Sequence, residues 1–496
     1  DQFGNFLPLT IAGFGDYRPA LYIYATIPFI AIFGLTEFAT RLPSAIFAIL
    51  SLPAIFHLAF TLTRNTKIAL TCLLIASISP WSLFFSRMAH ETNLMTLLIL
   101  CGLLLILHSR KHPILLLFSS ISFAASLYTY HSARVFVPLL VLLTLTLWRK
   151  RVKNNSGMWF AAAVLLIIFL LPLARQYLGG EGLARVRGVS LWNDPGVILK
   201  INEFRGQLSQ EFSPQISRFI SNKATIYPVI FLRNLAKELD PRFLILHGDP
   251  NGIYNTPNVG IMLWVEPLLI IAGLLFFRRT NRKIATWLFF GLIFGLIPDA
   301  LTRYGPSSAR IHVLIPFTAF LAGVGFVYLS KKHYLAGFFL IFIISFNSWW
   351  FWNQYIRAIP KIHANTWQIG TKEMIQKTAL LAPQYGKVWI SRSGWGWIHL
   401  VFHTKYDPQI LQKEIKASPR NDLGFWWVSD IGIYHLDWLP KMLEPGTLYI
   451  ARPTEFESGI TPLDRVRGAN GSDIYWFVDG NSGFPTNVFD LDAGYL

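Results

Sequence analysis

Charge is scarce in this chain. Only 14% of its 496 residues are Asp, Glu, Lys or Arg, against 53% hydrophobic, whereas soluble domains carry roughly 25% charged residues. The composition excludes an ordinary soluble domain and is that of an integral membrane protein. Cysteine is scarcer still. Cys72 and Cys101 both lie inside apolar runs, so they support neither a disulfide framework nor a zinc site and read as small core hydrophobes. Acidic residues number 27 against 44 Lys+Arg, and the net charge of +17 invites a nucleic-acid reading. Its distribution removes that reading. From Asn353 onward 14 basic residues face 14 acidic ones. Another 14 basic residues fill five short loops free of acid: Arg64/Lys67, Arg110/Lys111, Arg149/Lys150/Arg151/Lys153, Arg278/Arg279/Arg282/Lys283 and Lys331/Lys332. That is positive-inside patterning, not a DNA-binding face. Long repeats and low-complexity tracts are lacking, and so is an initial Met or a signal peptide before Asp1, which reads as a chain without its natural start.

What is present is a series of apolar runs, each near the ~20 residues that cross a bilayer. Ten spans are predicted near 42–63, 68–86, 92–107, 113–130, 133–148, 157–174, 258–277, 284–301, 311–329 and 333–352. With the first running outward to inward, all five basic loops fall on the cytoplasmic side, and the opposite short loops hold only Arg87, Arg134, Arg303 and Arg310. A further full span at Ala20–Phe33 would invert this alternation, so that segment reads as a juxtamembrane or re-entrant helix on the outer face. The expected organisation is a first extracytoplasmic loop at 1–41, a transmembrane domain at 42–352 with a large outer loop at 175–257, and a soluble extracytoplasmic α/β domain at 361–496. In the last, Lys387–Ser391, Leu448–Ala451 and Ile474–Val478 read as strands and Thr371–Leu381 as a helix. Within the outer loop, Gln215–Asn222 and Val229–Glu238 read as helical. The expected location is a bacterial-type plasma (inner) membrane.

The outer loops collect the ionisable residues. Ser86–Asn93 sets Arg87, His90 and Glu91 between two apolar runs, and ionisable groups at such a junction are costly unless they reach water or a partner. Asp1, Asp16, Arg18, His131, Arg134, His247, Asp249, Asp299, Arg303 and Arg310 fall on the same side. A carboxylate there can take a proton from an acceptor hydroxyl or ligate a divalent cation, while arginine and histidine can neutralise a phosphate. Each segment also has a plainer reading. Asp16–Pro19 suits a turn before a helix, Tyr128–Arg134 an aromatic interface anchor with a snorkelling arginine, and His247–Pro250 an ordinary turn. His399 and His403 could bind metal if helical, but strand-loop surroundings favour surface histidines.

Gly15-Asp16-Tyr17-Arg18-Pro19-Ala20-Leu21-Tyr22 and Phe33-Gly34-Leu35-Thr36-Glu37-Phe38-Ala39-Thr40-Arg41-Leu42-Pro43-Ser44 resemble the polyprenyl-phosphate-dependent membrane glycosyltransferases. This family (glycosyltransferase family 39) includes the protein O-mannosyltransferases and the bacterial lipid A aminoarabinose transferases. Members read acidic-x-Lys-Pro-Pro-Leu-Tyr, then Phe-Gly-x-x-x-Phe-x-x-Arg-Leu-Pro-Ser. Here Arg18 replaces the common Lys and Ala20 a Pro. The resemblance implies a GT-C fold, an α-helical polytopic membrane protein, here with a C-terminal extracytoplasmic α/β domain. It also implies a catalytic Asp just after a first transmembrane helix, upstream of Asp1. Asp16 and Glu91 match the acidic positions expected to be catalytic and to hold a divalent metal ion, with no organic cofactor. Arg18, Arg87, His90, Tyr130, His131 and Arg134 are the expected donor-phosphate contacts, and His247 and Asp249 belong to a substrate loop. The implied reaction moves a sugar with inversion from a polyprenyl-phosphate donor to a lipid, polysaccharide or protein acceptor outside the cell. A transporter, a lipid flippase or an inactive scaffold of the same fold are the alternatives.

Overall fold

The computed structural model describes residues 4–13, 16–148, 155–178, 186–394, 396–418, 427–469 and 471–482. The chain divides into two compact units. One holds Leu9–Ile11 and Tyr17–Ile356, the other Asp1–Pro8, Ala12–Asp16 and Arg357–Leu496.

The first unit is built of helices. The short strands β1 (Thr10–Gly13) and β2 (Asp16–Pro19), whose residues 12, 13 and 16 count with the other unit, precede α1 (Leu21–Phe33), which stops at Gly34, where φ is +72°. Thr36 then caps α2 (Glu37–Thr63), its hydroxyl accepting from the Ala39 N–H. The Phe-Gly-x-Thr part of the sequence motif is thus a helix stop followed by a helix start. Next come α3 (Thr66–Ile78), α4 (Pro80–Ser86), α5 (Thr92–His108), α6 (Leu115–Leu127), α7 (Ala133–Leu147) and α8 (Ser156–Leu178). The span read at 68–86 is not one rod. It bends by 58° between α3 and α4, because Pro80 has no N–H to continue the ladder and pushes Ser79 to an extended ψ of 127°.

The long connection read at 175–257 contains α9 (Pro195–Leu208), α10 (Pro214–Ile220) and α11 (Lys223–Glu238). The unit closes with α12 (Glu266–Thr280), α13 (Arg282–Ala300), α14 (Ile315–Lys332) and α15 (Tyr334–Arg357). The span expected from 258 begins as a helix only at Glu266. Residues 258–265 are irregular, with Asn258 at φ +57°, and Gly260 lies so close to Leu244 and Ile245 that a Cβ would overlap their backbone. Among the described residues five helices are long and apolar enough to cross a membrane, or six with the bent pair; Leu21–Phe33 is a shorter apolar helix. Small residues let the helices approach. A Cβ on Gly325 would stand 2.0 Å from the Leu269 carbonyl oxygen and one on Gly273 2.2 Å from that of Leu321, so α12 and α14 pack backbone to backbone.

The second unit is a mixed sheet in the order β4-β5-β6-β3-β7-β9-β8. Its strands are β3 (Lys387–Ser391), β4 (Lys416–Ala417), β5 (Val428–Ile431), β6 (Tyr434–Asp437), β7 (Thr447–Ala451), β8 (Asp464–Arg467) and β9 (Asp473–Asp479). β3 pairs parallel to β6 and β7, and the other pairs are antiparallel. Helices α16 (Thr371–Leu381), α17 (Gly396–Thr404) and α18 (Pro408–Glu414) contribute Met374, Leu400 and Leu411 to the core over one face. Leu439, Leu443 and Phe456 cover the other. β7 is buried throughout, as a strand covered on both faces must be. His399 and His403 correct the reading made for them: they lie on α17, not in a strand-loop segment. His399 Nε2 faces Gln368 Oε1, and burial brings its imidazole down to about 4.

Candidate active site

The turn joining α4 to α5 is pinned by buried hydrogen bonds. Ser44, the last residue of the sequence motif, donates its hydroxyl to the Phe85 and His90 carbonyls. Asn93 Nδ2 donates to Ser44 Oγ (2.9 Å) and to the Phe85 carbonyl (3.0 Å). Ser44, Phe85, His90 and Asn93 are all buried, and buried hydrogen bonds of this kind fix one geometry. The motif therefore acts by holding His90 and Glu91 in place.

His90 is 4% exposed and Glu91 7%, with His90 Nδ1 3.9 Å from Glu91 Oε2. The Thr92 N–H donates to His90 Nδ1, so the neutral ring carries its proton on Nε2, which faces the Tyr254 hydroxyl at 3.4 Å. Burial pushes the imidazole below its usual range; the Glu91 charge opposes this and the Arg18 charge adds to it. His90 is accordingly a neutral donor. Aromatic rings wall it in: Phe85 at 5.4 Å, Tyr130 at 5.6 Å and Tyr254 at 5.6 Å between centroids. Behind Phe85, His312 Nδ1 meets Thr96 Oγ1 at 2.9 Å while its buried Nε2 has no hydrogen-bond partner.

The remaining expected residues separate into three groups. Arg18 lies exposed on β2, near enough for its charge to act on His90. Tyr130 is beside His90, and His131 Nε2 donates to the Tyr17 carbonyl at 3.2 Å, tying the α6–α7 turn to β2. These belong to one neighbourhood with His90 and Glu91. Arg87 and Arg134 are engaged elsewhere. Arg87 Nε donates to the Tyr355 hydroxyl (3.0 Å) and its guanidinium covers that ring. Arg134 donates to the Leu127 carbonyl and the Tyr177 hydroxyl, the bracing role of the interface-anchor reading. His247 is exposed in a turn whose Gly248 adopts φ +74° with its α-carbon against the Val259 carbonyl. Asp249 is buried and structural. Its Oδ2 accepts from the Ser308 N–H (2.7 Å) and hydroxyl (2.6 Å), and its Oδ1 from the Asn251 N–H (2.8 Å). The Asp16 side chain lies outside the described residues. Among those described, no three of His, Cys, Asp and Glu converge on a metal-binding point.

A second cluster joins Asp299 and Arg310, which the sequence placed on this side without a role, to Glu238, which it did not single out. Arg310 donates to Asp299 Oδ1 (2.7 Å), to Thr302 Oγ1 (2.8 Å) and to the Tyr304 carbonyl, while Ser307 N–H donates to Asp299 Oδ2 (2.9 Å). Nearby Glu238 is fully buried at the end of α11, and neither carboxylate oxygen has a hydrogen-bond partner. Burial and the Asp299 charge push it up to about 10, the Arg310 charge only partly offsetting them. Asn234 on the same helix donates to the Ala300 and Thr302 carbonyls. The Arg310 charge also interacts with Tyr130 and Asp249, which joins this cluster to the first. The signal available in sequence was Asp299 and Arg310 at the two ends of the turn between apolar runs; Glu238, on an amphipathic outer helix, gave none.

Comparison with known proteins agrees with this architecture. The Dolichyl-phosphate-mannose-protein mannosyltransferase family matches residues 18–174, a stretch running from within β2 to within α8. No curated protein matches. Among solved structures, the crystal structure of ArnT from Cupriavidus metallidurans bound to undecaprenyl phosphate superposes with a TM-score of 0.51 at 12% identity, covering 95% of this chain and 90% of that one. The same protein in the apo state gives 0.48 at 12% identity over 94% and 89%. The Archaeoglobus fulgidus oligosaccharyltransferase gives 0.45 at 12% identity over 79% and 56%. At such identities the likeness is one of fold, and the first match carries it. The chain has the GT-C fold of membrane glycosyltransferases, with a C-terminal sheet domain.

Proposed function

We propose that this protein is an inverting glycosyltransferase that takes a sugar from a polyprenyl-phosphate donor and passes it to an acceptor hydroxyl or amine on the extracytoplasmic face of a bacterial-type inner membrane. The observation that carries this reading is the convergence of His90, Glu91, Tyr130 and Arg18 in one neighbourhood of a chain whose fold matches a protein crystallised with undecaprenyl phosphate. In the proposed step the acceptor oxygen or nitrogen attacks the anomeric carbon. The bond from that carbon to the phosphate oxygen breaks on the opposite side, and its electron pair leaves with the lipid phosphate. The acceptor proton passes to a carboxylate, Glu91 or Asp16. Arg18, the Nε2–H of His90 and the Tyr130 hydroxyl stabilise the departing phosphate, with His131, Arg87 and Arg134 holding the surrounding turns. A divalent cation would fall to Glu91 with Asp16, and its test is the response of activity to chelation and metal return.

The deciding experiment is to follow loss of sugar from a purified polyprenyl-phosphate sugar incubated with the reconstituted protein. Release of free polyprenyl phosphate that falls at least ~100-fold in Glu91→Gln, at unchanged expression and melting temperature, supports the reading. Movement of intact donor between leaflets without cleavage would identify a flippase instead. Wild-type turnover in Glu91→Gln and in Asp16→Asn would remove both from the catalytic role.

A further inference from the structure

An open groove lies away from this site, at the basic-loop end of the hairpin formed by α12 and α13. It encloses about 600 Å3, within the usual range of ligand pockets. It is lined by Ile271 and Leu275 from α12 and Phe289 and Phe290 from α13, all exposed, and by Arg278 and Arg282 where the two helices join. Helical rise puts the two arginines roughly 10 Å along the groove from Ile271 and Phe289. The lining thus changes from cationic to apolar over the distance that separates a lipid phosphate from its first chain carbons.

The charges at that end lack counter-ions. No acidic residue occurs between Glu266 and Asp299. Neighbouring Arg279 is engaged with the Tyr328 hydroxyl, but among the described residues no carboxylate pairs with Arg278 or Arg282. Two guanidiniums on one short turn, with their stems over an apolar groove, suit a phosphodiester through charge-assisted hydrogen bonds. Basic pockets between transmembrane helices at the cytoplasmic side are a recurrent form of anionic-lipid site. A free phosphate would use the arginines and leave the groove unfilled, and a neutral lipid would do the converse.

We propose that this groove is a binding site for an anionic glycerophospholipid, with its phosphate between Arg278 and Arg282 and one acyl chain along Leu275, Phe289 and Phe290. The site is independent of the glycosyl-transfer reading; only its assignment to the cytoplasmic leaflet shares the orientation proposed above.

The test uses the full chain in nanodiscs containing equal phosphatidylglycerol and phosphatidylcholine, released into the mass spectrometer with bound lipid retained. The wild type should retain phosphatidylglycerol in preference. In Arg278→Gln/Arg282→Gln the preference should fall roughly thirtyfold, about fivefold per arginine. Arg279→Gln/Lys283→Gln should leave it in place, although it removes the same charge from the same loop. Phe289→Ala/Phe290→Ala should reduce retention with both arginines present. Equal loss in the two charge variants would reduce the effect to general surface attraction and overturn the site. So would retention unchanged by the phenylalanine substitutions, or displacement of the lipid by millimolar inorganic phosphate. Melting temperatures measured in phosphatidylcholine alone separate any of these results from misfolding.

Discussion

Glu238 and Asp249 are both buried carboxylates, yet their surroundings differ and so do their expected responses. Asp249 receives three donors. Asp249→Ala would leave Ser308 and Asn251 groups unpaired and should cost about 3 kcal/mol, read as a lower melting temperature in detergent. Glu238 receives none. With its pKa raised to about 10, the native state keeps a proton that the unfolded chain gives up near pH 4. Stability contributed by this group is therefore greatest at low pH and is lost as pH rises from about 4 toward 10, by at most about 1.4 kcal/mol per pH unit. Glu238→Gln should melt above the wild type by a margin that widens between pH 5 and pH 8. A constant margin would mean that the carboxyl is already paired or solvated. His90 illustrates what could and could not be read in advance: its place at a membrane junction singled it out, but its neutral tautomer depends on the Thr92 N–H and on Tyr254, 164 residues away.

The strongest constraint on the helices is the distance between them. Gly325→Ala or Gly273→Ala must push α12 and α14 apart, because the added Cβ meets a carbonyl oxygen and not a flexible side chain; both should lower yield and melting temperature. Gly206, inside α9 with nothing within 4 Å of its added Cβ, is the control. Gly206→Ala should stabilise by about 0.5–1 kcal/mol. In the sheet unit, His399 is held near 4 by burial, so its contribution to stability is present above the ordinary histidine pKa of ~6.5 and is lost as pH falls through 4. His399→Gln should flatten acid unfolding of that unit followed by tryptophan fluorescence. The helix Thr371–Leu381 and the strand Lys387–Ser391 coincide with their sequence reading, since local patterning is strong there. α17 was missed because Gly394 and Gly396 with interleaved Trp residues break the helical period.

For the whole molecule the testable quantity is sidedness. Single cysteines replacing Lys111 and Asn251 should react with an impermeant maleimide from opposite faces of intact cells, Lys111→Cys only after the cytoplasmic face is opened; the reverse pattern would invert the proposed orientation. The membrane character and the α/β character of the C-terminal region followed from composition and periodicity alone, because burying apolar backbone in lipid leaves a chain few options besides helices; of the ten spans read, five helices among the described residues, or six with the bent pair, are long and apolar enough to cross. The motif through Arg41-Leu42-Pro43-Ser44 likewise carried the fold class. Tertiary structure alone decided which polar residues meet. Arg87 and Arg134 are phosphate-ligand candidates in sequence, and the fold sets them against Tyr355 and Tyr177. Asp299 and Arg310 stand out in sequence only as members of a long set of loop charges and Glu238 not at all, yet the three share one buried cluster. Periodicity reports which face of a helix is apolar, whereas the pairing of ionisable groups depends on where helices far apart in sequence come to rest.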